Sequence, residues 1–289
     1  MSASDHLLAL FIAIVCGTIA AIVERRASLR GLAPTVAGLG FGLCVLSAYW
    51  LITNRLPPFA WNQAAASSEP WELCILPLAV IAALWPFGKD LFVMTPAARL
   101  WTALLMASFP IVACLPHGAS YADVVPANGP WAIGALLAIG ANWLCSVRLH
   151  STGAERWATW VFVAQLITTA AALLMCYGTL GEWCVMSAVA LSALAVAGGA
   201  VKAVNWSTGL ALPATTLACC LLSLIRVYSA QAVPFWLAPL LFLSPVIVCG
   251  VDHWIGQRRS PTTRMLIAAT AAALVSAFVI GTVLIRSAQ

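Results

Sequence analysis

The chain has 289 residues, of which 63% are hydrophobic and only 8% charged, with a mean hydropathy of +0.98. Soluble domains carry about 25% charged residues, so this composition excludes a water-soluble globular fold and fits a chain whose solvent is mostly hydrocarbon. The net charge is +5, but the basic residues lie in twos and threes between apolar segments instead of forming a patch, which excludes nucleic acid as a partner.

Apolar runs of spanning length recur along the whole chain. In order they are Leu7 to Val23, Leu32 to Thr53, Trp71 to Phe87, Ala97 to Leu115 and Trp131 to Val147. There follow Trp157 to Tyr177, Trp183 to Val201, Thr208 to Tyr228, Phe235 to Val251 and Met265 to Ile285. They predict an all-α, polytopic integral membrane bundle of ten transmembrane helices, a single domain over residues 1–289. The third and ninth runs are about 17 residues long, near the lower limit for a span. Both contain proline, Pro77 in one and Pro239 with Pro245 in the other, so both are expected to bend.

Charge sets the expected orientation. The first run is followed, not preceded, by Arg25, Arg26 and Arg30, which reads as a spanning helix and not as a cleaved signal peptide. With the N-terminus outside and strict alternation, 11 of the 14 basic residues fall in cytoplasmic loops; only Arg55, Arg226 and Arg286 fall outside. Both termini are then non-cytoplasmic. Tryptophans near the run ends, among them Trp50, Trp85, Trp101, Trp131, Trp143, Trp183, Trp206 and Trp254, are expected at the headgroups. The expected location is a bacterial cytoplasmic membrane, with membrane lipids, other membrane subunits or further copies of the chain as partners.

Two cytoplasmic turns look alike. Thr95-Pro96 and Ser260-Pro261 each precede a helix, with Arg99 and Arg264 following, and Ser151 to Arg156 is a looser version. Hydroxyl then proline suits an N-cap and a first helical position. The ten cysteines sit inside apolar runs without CxxC spacing, so they read as small hydrophobes; a Cys176–Cys184 bridge across one short loop is the exception considered.

No motif names a reaction. HExxH, GxSxG, Walker and GxGxxG sequences are lacking, as is a DxxD-type acidic pair, and the four histidines have no ligand at i+4. No cofactor and no metal is expected, and the enzyme question stays open, leaning to no. Polar residues at bilayer depth are the remaining candidates, because each costs free energy there. Gln165 lies mid-way along the sixth run and Asn142 within the fifth; such amides either glue helices together or bind a ligand. Arg226, near the outer end of the eighth run, either snorkels or pairs with Glu72 or Glu182 in an outward-facing site. Asp252 and His253 form a candidate proton-handling pair, although neighbours on a helix do not face one another. The longer outer loops run from Asn54 to Pro70 and from Pro116 to Pro130.

Three function classes fit. A small-solute or lipid permease predicts a cavity reaching the midplane. A non-catalytic subunit of a larger membrane complex predicts a packed interior. A membrane enzyme on a lipid-linked substrate predicts Asp, Glu or His converging at one interface.

Overall fold

A computed structural model of the chain describes residues 3–26, 30–58, 70–91, 95–115, 125–151, 155–201, 206–228, 237–256 and 259–287. Among them 94% is helical and there is no strand. The helices are α1 (Ala3–Arg25), α2 (Ala33–Thr53), α3 (Pro70–Leu73), α4 (Ile75–Leu91), α5 (Pro96–Cys114) and α6 (Val125–Ser151). They continue with α7 (Glu155–Cys176), α8 (Gly178–Val201), α9 (Trp206–Tyr228), α10 (Leu237–Phe242), α11 (Ser244–Val251) and α12 (Pro261–Ser287). Seven of these are long and apolar enough to cross a bilayer; Ile75–Trp85 and Gly209–Leu224 are shorter apolar stretches.

Each predicted run overlaps one helix or a broken pair, and the breaks follow proline. Pro77 has no N–H to give the Leu73 carbonyl, and the helix parts between α3 and α4 at Cys74. Pro245 does the same to Leu241, and α10 and α11 part at Leu243, which has φ −100° and ψ 9°. The predicted outer loop to Pro130 is too long: α6 already starts at Val125 and continues through Pro130. Pro126 sits in its first turn, where an amide donor has no partner anyway. Helix starts at Thr95 and Ser260 are capped alike, each hydroxyl accepting the N–H three residues on at 3.3 Å, from Ala98 and from Thr263. At the other end of α2, Asn54 takes the left-handed conformation, φ 53° and ψ 30°, and its N–H closes on the Trp50 carbonyl at 2.7 Å.

Helix α9 is the centre of the bundle. Every residue from Gly209 to Leu224 is buried, and the helix packs against α2, α4, α5, α6, α7 and α8. Ala211, Ala214, Ala218, Cys219 and Cys220 let neighbouring backbones come close, as small residues do where lipid supplies no hydrophobic drive. The periphery is the reverse. Leu7 and Phe11 on α1, Leu105 and Phe109 on α5, and Leu274 and Phe278 on α12 are exposed. So continuous an apolar surface suits hydrocarbon and would not survive in water. The chain is a multi-pass membrane protein. Several hydroxyls on the helices turn back on their own backbone, Thr18 to the Ile14 carbonyl at 2.8 Å and Thr216 to that of Leu212 at 2.7 Å, which satisfies them without water.

Tryptophan differs from expectation. Trp50, Trp101, Trp160 and Trp254 are exposed, but Trp85, Trp131, Trp143, Trp183 and Trp206 are buried among helices. Their indole N–H groups serve as struts. Trp131 donates to Ser223 Oγ at 2.7 Å, Trp183 to the Val45 carbonyl at 3.2 Å and Trp206 to Glu24 Oε2 at 3.4 Å. Each joins the early part of one helix to another helix, which ties α6 to α9, α8 to α2 and α9 to α1. Trp85 and Trp143 meet edge-on with ring centroids 5.8 Å apart. Cys184 is a free thiol lying 3.4 Å from the Leu166 carbonyl, so no bridge to Cys176 forms.

The α2–α4 contact has no slack: a Cβ on Gly42 would lie 3.0 Å from the Ala79 carbonyl oxygen and 3.3 Å from Ala82 Cβ. Gly42→Leu is expected to cost about 1–3 kcal/mol and to lower the thermal unfolding midpoint in detergent. Gly281→Ala on α12, where a Cβ meets nothing within 4 Å, is expected to leave that midpoint level or raise it slightly.

Candidate functional site at a broken helix

The break at Leu243 frees backbone groups inside an apolar bundle, and two neighbouring helices supply the groups that satisfy them. The Leu241 carbonyl, deprived of a donor by Pro245, accepts from Gln165 Nε2 on α7 at 3.0 Å and from Ser244 Oγ at 3.1 Å. The Phe242 carbonyl accepts from Asn142 Nδ2 on α6 at 2.6 Å and from the same Gln165 nitrogen at 3.2 Å. Asn142 is fully buried and Gln165 is 2% exposed. Both amides thus hydrogen-bond across helices to the backbone of the broken helix pair. Their side-chain oxygens, Asn142 Oδ1 and Gln165 Oε1, have no hydrogen-bond partner among the described residues. One turn further along α6, the Cys145 thiol reaches the Pro245 carbonyl at 3.2 Å, so α6 follows the broken span past the break.

The span ends in a π-helical turn, Asp252–Gly256. Neighbouring residues on a helical turn do not face one another, so their side chains are able to go to different helices. Asp252 is buried and turns to α12, where Arg264 grips both its oxygens, Nε at 2.9 Å and a terminal nitrogen at 2.6 Å. This fork-to-fork pairing holds the end of α11 against α12. His253 is exposed and turns to α6, where Arg148 approaches its Nδ1 at 2.7 Å. Asp252 and His253 are thus bound to different partners and are not bonded to each other in the described structure.

Open volume lies along the flank of this span. A cavity of about 630 Å³ between α6 and α10 is lined by Trp131, Leu137, Ala138, Ala141, Pro239 and Phe242. A second, of about 470 Å³, lies between α6 and α11 and is lined by Ala141, Leu144, Val147, Arg148, Val246 and His253. Ala141 borders both. The two cavities adjoin at Ala141 and follow one flank of the helix pair as a groove in two parts, the second bordered by Arg148 and His253.

At the opposite end, Glu72 is buried and paired with Arg55, which is itself 59% exposed. The Glu72 carboxylate beside it holds the Arg55 guanidinium protonated beyond its usual range. Tyr49, fully buried one turn from the end of α2, lies within electrostatic reach of both. Short α3, which carries Glu72, touches α9, which carries Arg226. The Arg226 side chain lies outside the described residues, so the expected Arg226–Glu72 contact is not among the described ones. Glu182, half-buried near the start of α8, makes no ion pair among the described residues.

No known family, curated protein or solved structure matches this chain. Among the described residues, no group of three or more His, Cys, Asp or Glu side chains is placed to hold a metal ion.

Three partners escaped the sequence. Arg148 bears in the sequence only on orientation, Arg264 on orientation and on the repeated turn, and Arg55 only as an exception to the orientation. Arg55 was the most legible of them, since it and Glu72 flank the same loop with opposite charges.

Asn142→Leu and Gln165→Leu each leave a buried carbonyl short of a donor and are expected to cost about 1–3 kcal/mol by thermal unfolding. Because both amides serve Phe242, the double variant is expected to differ from the sum of the singles. Pro245→Ala restores an N–H for Leu241 and should rescue Gln165→Leu more than Asn142→Leu. Separately, Arg264→Leu leaves Asp252 buried without its partner and is expected to cost about 3–5 kcal/mol; a midpoint equal to that of the parent protein would show that the pair is not formed.

Proposed function

We propose that the chain crosses the bilayer ten times with both termini on the non-cytoplasmic side, and that it carries amphiphilic, lipid-like molecules along the flank of its broken helix. The carrying observation is the side groove itself, which follows the broken span past Leu243 and ends at Arg148 and His253. A permease for small hydrophilic solutes needs a polar cavity among its central helices. Here the centre is occupied by α9, buried on all sides, and the groove beside the break lies on the flank. A molecule with an apolar tail and a polar head matches such a groove. Its tail would lie against Leu137, Ala138 and Leu144, and its head would reach the basic end. The break supports the reading too, because a two-part helix can change its angle at Leu243 while the amides of α6 and α7 hold its carbonyls.

The count of ten spans draws on the seven long helices, on α4 and α9, and on α10 with α11 crossing as one interrupted unit. The orientation draws on the basic bias of the loops, and a bacterial cytoplasmic membrane is the setting that suits such a chain. A second reading, a non-catalytic subunit of a larger membrane complex, is favoured by one observation: α1 and α12 offer long exposed aliphatic faces, which partner helices could cover as well as lipid. The enzyme reading has less support, since Asp252 is bound to Arg264 and not to His253.

Exchange of fluorescent phospholipid between leaflets, followed by dithionite quenching of vesicles containing the purified protein, separates the first two. The carrier reading expects exchange faster than in protein-free vesicles, and expects Ala141→Trp, which fills the middle of the groove, to slow it several-fold without loss of folding. Exchange no faster than in empty vesicles, together with stoichiometric co-purifying membrane proteins, would replace it with the subunit reading.

A further inference from the structure

We infer that the Arg148 end of the groove is a binding site for the phosphate of an anionic glycerophospholipid; this rests on the proposed reading of the groove as a lipid path and names the headgroup it takes. Arg148 comes from one wall, near the end of α6, and His253 from the other, in the π-helical turn after α11. Their side chains meet across the mouth of the groove, the guanidinium 2.7 Å from Nδ1 and 3.3 Å from Nε2. Both are exposed. A guanidinium offers a planar fork that fits two phosphate oxygens, and an imidazole N–H can add a third contact from the facing wall.

The surrounding charges favour an anion. The carboxylate nearest in sequence, Asp252, is buried and turned to α12 with both oxygens held by Arg264. Its charge is therefore offset where it sits and does not oppose a phosphate at Arg148. The rest of the described groove wall, Ala141, Leu144, Cys145, Val147, Val246, Cys249 and Gly250, is suited to an acyl chain and holds no acid among the described residues. Trp254, next to His253, is 88% exposed, and an indole so placed belongs at headgroup level. The groove therefore has a basic group at headgroup level and an apolar trough running from it toward the break. That is the order of parts in a phospholipid.

The test is native mass spectrometry of the full-length protein, purified in mild detergent and offered equal amounts of phosphatidylglycerol and phosphatidylcholine with identical chains. The parent protein should retain phosphatidylglycerol about fivefold to tenfold over phosphatidylcholine. Arg148→Gln with His253→Gln should bring the ratio close to one, and Arg148→Lys should keep part of the preference. Arg25→Gln, an exposed arginine ending α1 away from the groove, should change nothing. Thermal unfolding midpoints of the variants, expected to stay near that of the parent, keep loss of binding distinct from loss of folding. Equal retention of the two lipids by the parent protein, or a preference that survives the double variant, would overturn the site. Displacement of the lipid by millimolar inorganic phosphate would overturn the assignment to a lipid headgroup. A retained phosphatidylglycerol without leaflet exchange keeps this site and removes the carrier reading. Exchange without headgroup preference does the opposite.

Discussion

A backbone carbonyl that has lost its donor cannot be left bare in hydrocarbon, and much of this molecule is arranged around one such carbonyl. Pro245 cannot serve Leu241, and in the fully buried position that Leu241 occupies there is no bulk water to take its place. Side chains must take its place, and besides Ser244 beside the break they come from the two helices that flank it. Gln165 and Asn142 bring Nε2 and Nδ2 to within 3.0 Å of Leu241 and 2.6 Å of Phe242. The consequence is structural before it is functional. Helices α6 and α7 are fixed against the interrupted span by hydrogen bonds whose loss would be costly. The two amides therefore act as clamps, and the break they hold can persist without opening the bundle.

From that constraint the flank takes its form. Beside these hydrogen bonds, open volume remains between α6 and the broken span, and the groove lies there. Its upper and lower parts meet at Ala141, next in sequence to the clamping Asn142. The lower end is fixed separately by the Asp252–Arg264 pair, which draws the acidic side chain to α12 and leaves His253 to Arg148. Two adjacent residues thus belong to a structural ion pair and to an exposed basic pair. At the opposite end of the bundle, Arg55 and Glu72 are a comparable pair, with the acid buried and the base at the surface.

The helices were legible because their signal is length and apolarity, and both are in the chain. The breaks at Cys74 and Leu243 were legible in part: the prolines announced a bend, and counting four residues back from Pro77 and Pro245 names Leu73 and Leu241 as the carbonyls that lose a donor. Neighbour relations were not legible. Helices such as α2, α7 and α8 are apolar on every side, so no stripe indicates which face meets which partner. Asn142 could be singled out for its depth, but nothing near it in sequence points to Phe242, 100 residues away. Tryptophan misled for a related reason. An indole near a span end is equally at home among headgroups and between helices, and Trp131, Trp183 and Trp206 donate to other helices.

The clamp at the break is the claim on which the rest depends, and solid-state NMR of the protein in lipid bilayers tests it most directly. With asparagine labelled by ¹⁵N at its side-chain amide and phenylalanine by ¹³C at its carbonyl, dipolar recoupling reads the Asn142–Phe242 approach. The account predicts a short-range nitrogen–carbon coupling that disappears in Asn142→Leu. A spectrum without that coupling, or one in which it persists after the substitution, would mean that the break is held some other way.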